Sequence, residues 1–354
     1  MRGARYALRA LGFLLFVGVV LVVPSRISEF RASEFALIGI YFVAILGLNV
    51  LTGYAGIISL GHGAFMAVGA YTTAILVLGR PGLESGGLSP PDWLPVGDGM
   101  KDVYTIPIAA LVAGLVGALF GLPALRLSGP YLALATFGVA VATPIVIRKF
   151  DTVTGGSGGL NLFDSPSLTG AIFNVVHVPG GRTLTFNDWL YYLTWTVALL
   201  LFTVAWAIHH SRLGRSLRAI RDNEIAAVSS GVGLAFHKTL AFAISAFYAG
   251  AAGSLLAISS FSVAPGGFPV ELSIALLVGL AVGGLGALAP LVAGAAFLVF
   301  LPQWAQDISQ APGVPAVVYG AVLIALMMVI PMGFGGLLRR VFGPLTSRLY
   351  PRAQ

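Results

Sequence analysis

The chain contains no cysteine. Disulfide bonds, thiolate metal sites, cysteine nucleophiles and cysteine-linked lipid anchors are all excluded by that absence. Charge is the next scarcity. Asp, Glu, Lys and Arg make up 9% of the 354 residues, against roughly a quarter in a soluble globular chain. So few charges cannot hydrate a surface of this size, and hydrocarbon must cover most of it. The only three lysines are Lys101, Lys149 and Lys238, and none follows a glycine. That excludes the G-x-x-x-x-G-K-[ST] phosphate loop, and with it ATP hydrolysis by that route in this chain. Five histidines are scattered without an H-E-x-x-H pair, so the clustered ligands that a membrane metalloenzyme needs are missing.

What is present is apolar: 57% of residues are hydrophobic and the mean hydropathy is +0.93. Glycine is abundant at 46 residues, which suits transmembrane helices that pack closely. A span needs about 20 apolar residues. Runs of that kind fall near 9–25, 34–52, 64–79, 105–125, 128–148, 189–209, 239–260, 271–288, 289–304 and 315–333. The expected fold class is all-α, a polytopic transmembrane helix bundle of about ten spans. No low-complexity tract or internal repeat divides it, so residues 1–354 read as one membrane domain. The amino-terminal run follows Arg2, Arg5 and Arg9 and lacks a small-x-small cleavage site, so it reads as an uncleaved first span.

Orientation follows from the basic residues. With ten spans and a cytoplasmic amino terminus, one side holds Arg2, Arg5, Arg9, Arg126, Arg212, Arg215, Arg218, Arg221, Lys238, Arg339, Arg340, Arg348 and Arg352, against only Asp222 and Glu224. Both termini are then expected in the cytoplasm of a bacterium, with the chain crossing its inner membrane many times. The formal net charge of +7 serves this bias and the lipid surface rather than any nucleic acid. The span interiors carry almost no charge, with Glu271 at an edge and Asp188 and Asp307 at boundaries. Proton- and sodium-driven transporters ordinarily place charges there, so the driving energy is expected from elsewhere. A stand-alone secondary transporter or channel is the alternative.

Three segments outside the spans stand out. Residues 80–104 and 149–188 are long and external on this topology, and 210–238 form the one sizeable cytoplasmic loop. In that loop Leu213, Leu217 and Ile220 recur at helical spacing with Arg212, Arg215, Arg218 and Arg221 on the other side. Two readings stand side by side: an amphipathic helix lying on anionic lipid, or a rigid protrusion that docks a cytoplasmic partner. The segment Gly53-Tyr54-Ala55-Gly56-Ile57-Ile58-Ser59-Leu60-Gly61-His62-Gly63 interrupts two apolar runs. It is either a broken helix facing a pathway, tolerated at depth only when protein-buried or cavity-lining, or a tight turn capped by Ser59. Thr154, Gly155, Gly156 and Ser157 open an external glycine loop that could aim amides at an anion or simply bend. Gly284-Leu285-Gly286 followed by Ala289 reads as close helix packing.

Four blocks carry a resemblance. Residues 48–76, LNVLTGYAGIISLGHGAFMAVGAYTTAIL, closely resemble the signature of LivM-type permeases, the membrane subunits of branched-chain amino acid ABC importers. Residues 129–161, 212–256 and 278–294 resemble that family's G-x-Y-x-A-L-x-T and T-G-G-S segments, its cytoplasmic coupling loop and its glycine-rich block. There are departures: Thr143 and Pro144 replace an acidic residue, Ala289-Pro290 replaces Gly-Pro, and PMGFGGLLRR closes the chain differently. The resemblance implies that Glu224, Ala226, Ala227 and Gly231 form a coupling core that begins at Arg218, Arg221, Asp222 and Asn223. It implies a LivH-like second permease, two nucleotide-binding ATPase chains that hold ATP and Mg²⁺, and an external solute-binding protein. This chain itself would bind no cofactor, carry no catalytic residue and act as a transport subunit, not an enzyme. The pathway candidates are Asn49, Ser59, His62, Tyr131 and Thr136. Urea and short-chain amide importers share the family, so a branched-chain or related amino acid is the expected solute with those as the alternative.

Overall fold

The computed structural model describes residues 28–91, 97–125, 127, 129–163, 165, 177–178, 182–183, 185–308, 314–329, 333–337 and 340. The expected span 9–25 and the arginines at 2, 5, 9, 126, 339, 348 and 352 lie outside the described residues. Helix dominates: α1 (Glu29–Leu48), α2 (His62–Ser85), α3 (Asp102–Ala124), α4 (Pro130–Lys149), the single turn α5 (Asp151–Thr154), α6 (Phe186–His210), α7 (Arg212–Asp222), α8 (Glu224–Ser229), α9 (Leu234–Ser260), α10 (Val270–Gly283), α11 (Leu291–Ile308) and α12 (Val314–Val329). Strands are vestigial, two antiparallel pairs of two residues each. Among the described residues, eight helices are long and apolar enough to cross a membrane. Each corresponds to one of the expected spans. Of the 315–333 run, the described residues 314–329 are helical, as α12.

The boundaries have local causes. Proline opens α4 at its first position, where its missing N–H costs nothing, and Arg148 and Lys149 face the negative end of the same helix. Thr185 and Asp188 cap α6 reciprocally. The expected boundary at residue 79 is a kink instead: Gly79 adopts φ +64, and the chain resumes helix to Ser85. Its left-handed geometry admits the backbone of residues 97–99 against it, where Arg80 N donates to Gly97 O at 2.9 Å. The span expected at 271–288 ends earlier, at Gly283, because Gly284 (φ +108) and Gly286 (φ +75) form a turn. These glycines form that turn, and other backbone approaches it closely: a Cβ on Gly333 would lie 2.9 Å from Gly284 N and one on Gly53 2.8 Å from Gly286 N.

The long helix α9 is the centre, packed against α1, α2 and α3. The approach is too close for side chains. A Cβ on Gly253 would strike the Met66 carbonyl, one on Gly69 would strike Gly250, and one on Gly117 would strike Ala246. Without water between helices, such contact and polar pairing supply the cohesion. Thr73 donates to Ser254 at 2.6 Å, Tyr248 donates to Leu201 O at 2.8 Å, and Trp195 Nε1 donates to Phe35 O at 3.1 Å.

The two ends of the bundle differ. One end carries Leu160–Asn161 paired with Ser262–Val263, and Phe163, Phe186 and Phe261 cluster there with ring centres 4.5–5.7 Å apart. The segments near residues 97–100 and 155–165 share this end, since Ser165 donates to Val77 O. The opposite end carries α7 and α8.

Candidate functional site

The α7–α8 hairpin is built on the last turn of α6. Ser211 leaves the helix in extended conformation and accepts from Gly214 N at 3.4 Å, starting α7. Leu217 is fully buried and Ile220 nearly so, and Leu217 packs with Val50, Leu51, Tyr54, Ile57 and Phe242. A helix lying on lipid must offer its apolar face to the bilayer. Here that face is already used inside the protein, so α7 does not lie on a membrane through it.

Three of its arginines turn back to helix ends. Arg215 Nη1 donates to His210 O at 3.2 Å, and Arg218 Nη2 donates to His209 O at 3.2 Å. Arg221 Nη1 donates to Gly53 O at 2.8 Å. Cations placed on orphan carbonyls satisfy those groups and oppose the dipole of the helix end. Asn223 then breaks the helix and caps α8 by accepting from Ala226 N at 3.0 Å. Glu224 pairs with Lys238 at 2.7 Å, a lysine whose side chain is only 7% exposed. Ala227 packs inward, Ala226 faces out, and Gly231 ends the hairpin at φ +83. All eight expected coupling residues thus fall on one continuous hairpin. Ile225 and Val228 were not among them, yet they are 80% and 53% exposed. The signal available in the sequence was two apolar residues three apart in an otherwise small and polar stretch.

The helix break lies directly above this hairpin. Residues Asn49–Tyr54 form a π-helical turn, and Ala55 N donates to Val50 O while Ile57 N donates to Leu51 O. The chain then runs unwound to His62. Hydroxyls replace the missing helical partners: Thr52 donates to Ile57 O at 2.9 Å, Thr136 accepts from Leu60 N at 3.0 Å, and Ser59 accepts from Gly61 N at 3.3 Å. Ser59 does cap a local turn, as one reading held. The unwound stretch is nevertheless longer than a turn and is mostly buried.

His62 Nε2 lies 2.7 Å from Ser245 Oγ, and that hydroxyl donates to Gly47 O at 2.7 Å. A hydroxyl has one proton, so Nε2–H is the donor to serine. Nδ1 is buried and has no partner. Ser245 sits about 17 Å along α9 from its start at 1.5 Å per residue, near the middle of a hydrocarbon layer about 30 Å thick.

Of the expected pathway residues, Ser59 and Thr136 are brought together at Leu60 N, and His62 follows Ser59 along the unwound stretch. Asn49 is buried nearby but clasps another segment: its Nδ2 donates to Ala287 O and its Oδ1 accepts from Gly286 N, each at 2.8 Å. Tyr131 stands apart, 70% exposed on α4. Ser245 and Ser273 were missed, the latter accepting from Gly63 N at 2.9 Å. Neither had a local signal, because their partners lie about two hundred residues away.

In the glycine loop, Thr154 Oγ1 shares its one proton between Ile147 O and Phe150 O, at 2.7 and 2.8 Å, and accepts from Gly156 N. Gly155 N and Gly159 N bind Asp151 O and Gly155 O. Gly155, Gly156 and Gly159 all have positive φ, and side chains at 155 and 159 would meet backbone. The glycine amides of 155, 156 and 159 are thus engaged within the loop, with Ser157 exposed at its tip. Among the described residues no group of three His, Asp or Glu is arranged to hold a metal ion. A groove of about 300 Å³ between α3, α6 and α9 is lined by Leu111, Leu115, Val204, Ile208 and Phe247 and touches none of the residues above.

Comparison with known proteins places these features in context. Residues 32–331 match the model of a family described as the permease component of branched-chain amino acid transport systems. The chain is similar to the high-affinity branched-chain amino acid transport system permease protein LivM of Escherichia coli K12, with 31% identity over 336 residues that cover 90% of this chain and 74% of that one. The protein of the same description from Salmonella typhimurium LT2 is 30% identical over 335 residues, 91% and 74% of the two chains. A probable branched-chain amino acid transport permease LivM from Methanocaldococcus jannaschii is 23% identical over 203 residues, 52% and 55% of the two chains. No solved structure matches.

Proposed function

This chain belongs to the branched-chain amino acid transport permease family, and on that premise we propose that it forms half of the pore of an ATP-driven importer in a bacterial inner membrane. Its solute is a branched-chain or related small amino acid. A LivH-like permease supplies the other half, two ATPase chains bind ATP and Mg²⁺ beneath it, and an external binding protein delivers the solute near Thr154–Ser157. Both termini and the α7–α8 hairpin face the cytoplasm. The whole chain works as one membrane domain.

The observation that carries this reading is the hairpin. Its base is locked into the permease by Leu217, Ile220 and three arginine–carbonyl bonds, while Ile225 and Val228 stand out into water. Exposed apolar side chains on a rigid polar protrusion support docking of a protein partner. ATP-driven closure of the ATPase pair would push α8 and α7 and rock the bundle between outward- and inward-facing states. Solute would pass the break at Ser59, His62 and Thr136, where sparse polar groups hold it weakly enough to release it.

The absence of cysteine permits a direct test. Arg215→Cys and Ser229→Cys label with a membrane-impermeant maleimide only once the cytoplasmic face is opened, and the complex purified with its ATPase takes up leucine into proteoliposomes only with ATP. Labelling from outside intact cells, or gradient-driven flux through this chain alone, overturns the reading.

A further inference from the structure

Three pieces of chain distant in sequence meet at one point beneath the helix break. Arg221 of α7 reaches Gly53 O at 2.8 Å. Gly53 sits in the π-helical turn directly above Asn49, and Asn49 clasps Gly286 N and Ala287 O in the link between α10 and α11. The guanidinium is itself oriented: Nε and Nη2 both donate to Asp222 Oδ1, at 3.2 and 3.1 Å. That leaves Nη1 for the carbonyl, a use of the planar fork that an ammonium cannot copy. The backbone makes room for the arginine stem at Gly56, whose φ is +72 and whose Cβ would lie 2.6 Å from Arg221 Cγ.

The element being gripped is the π-helical turn Asn49–Tyr54. A π-turn holds one more residue than α-helix for the same advance, and it appears most often at functional sites. Sliding that extra residue along the chain re-aims every side chain beyond it, here the stretch through Ser59 to His62. A carbonyl at the end of a helix lacks the following N–H groups that would complete it. Gly53 O is such a carbonyl, and its partner comes from the loop that the importer reading assigns to the motor.

We propose that Arg221 is a positioning residue that passes displacement of the α7–α8 hairpin to the turn Asn49–Tyr54, and so sets the register of the break, rather than a contact to the ATPase. This deepens the importer reading and rests on it. Docking belongs to Ile225 and Val228, and transmission belongs to Arg221, with Asp222 holding it in position and Asn49 carrying the motion on to α10 and α11.

The test uses the full complex with its ATPase chains, in proteoliposomes, with leucine and ATP as probes. Arg221→Ala is expected to keep ATPase recovery and ATP hydrolysis within twofold of wild type while leucine uptake falls at least tenfold. Arg221→Lys regains part of that loss, because one ammonium donor still reaches the carbonyl. Arg212→Ala, exposed on the same helix, behaves as wild type. A reporter cysteine at Ile58, 52% exposed beside the break, labels at different rates in nucleotide-free and ATP-trapped complexes. In the Arg221→Ala background that difference disappears, which a residue serving stability alone would not cause. Gly56→Ala displaces the arginine stem without removing its charge and is expected to uncouple in the same way. Uptake by Arg221→Ala within twofold of wild type, loss of the ATPase from that variant, or a persisting nucleotide response at Ile58→Cys each overturns the proposal. A wild-type complex that takes up leucine without ATP defeats instead the importer reading, and does so before any substitution is made.

Discussion

Replacing Glu224 with glutamine removes the carboxylate paired with a buried ammonium, while replacing Lys238 with methionine removes the ammonium and leaves the carboxylate. The two changes break the same 2.7 Å contact, yet the exposures of the partners make them unequal. Lys238 has a side chain 7% exposed and Glu224 one 49% exposed. At an effective dielectric of about 20, the gross attraction at this distance is roughly 6 kcal/mol, most of it offset by desolvation. Removing one member of a fully buried pair costs about 3–5 kcal/mol, and losing an exposed pair costs about 0–1 kcal/mol. Glu224→Gln strands the buried charge and falls between these limits, at about 1–3 kcal/mol. Lys238→Met strands a carboxylate that water can reach and is expected to cost less than about 1 kcal/mol. Glu224→Lys adds repulsion to the stranded charge, and the swap Glu224→Lys with Lys238→Glu regains most of the loss. The assay is thermal melting of the purified protein in one detergent at one scan rate, since membrane proteins unfold irreversibly. For a chain of 354 residues, at about 2.1 cal/mol/K per residue, 1 kcal/mol shifts the midpoint by about 1–2 °C, so the variants should separate by about 1–3 °C. Lys238→Met melting as low as Glu224→Gln, or a swap no better than Glu224→Lys, would refute the argument from burial.

Two further outcomes follow from the packing. Ser245→Ala strips the hydroxyl that both accepts from His62 Nε2 and donates to Gly47 O. The buried His62 ring N–H loses its acceptor at about 1–3 kcal/mol, while Gly47 O keeps a backbone N–H, so the melting midpoint should drop by more than for Ser260→Ala, whose hydroxyl is exposed. Gly253→Val drives a side chain into the Met66 carbonyl across the α2–α9 contact. The expected result is loss of folded protein from the membrane, read by size-exclusion profile, whereas Gly231→Asn, which keeps left-handed backbone and meets nothing within 4 Å, should be recovered normally.

The span pattern was legible because burial in hydrocarbon is additive along the chain: each run declares itself through its own residues, and the eight candidate spans among the described residues lie where the apolar runs placed them. The family resemblance put the expected coupling residues in one short stretch, from Arg218 to Gly231, and the fold shapes that stretch as α7 and α8. What they do was less legible. The arginines of α7 looked like a solvent- or lipid-facing stripe, and the fold turns three of them onto carbonyls of α6 and the π-turn. Those partners are set by how α1, α6 and α7 meet, which no local period encodes. The same holds for His62, whose partner Ser245 is 183 residues away, and for Asn49, whose partners are 237 and 238 away. Gly284 and Gly286 were legible as sites of close approach but not as a turn, for a related reason. Glycine serves close packing and left-handed turns equally well, and only the neighbouring chain decides between them.

Exposure has to be read differently on the two parts of this molecule. Leu111 and Leu115 on α3, and Leu134 and Ile145 on α4, are each more than half exposed, but on spanning helices hydrocarbon or a neighbouring span covers such residues at no cost. Their exposure therefore distinguishes nothing. Ile225 is more exposed than any of these and sits one residue from an ion pair, on a hairpin at the polar end of the bundle. There each exposed Å² of apolar surface costs roughly 25 cal/mol when water covers it, and a covering protein recovers that cost. Ile225→Ser should then lower ATPase recovery at least fivefold while leaving the melting midpoint of the isolated chain within about 1 °C, since the side chain is 80% exposed among the described residues. Loss of stability without loss of the partner would place the contact inside the permease and remove the hairpin tip from the docking surface.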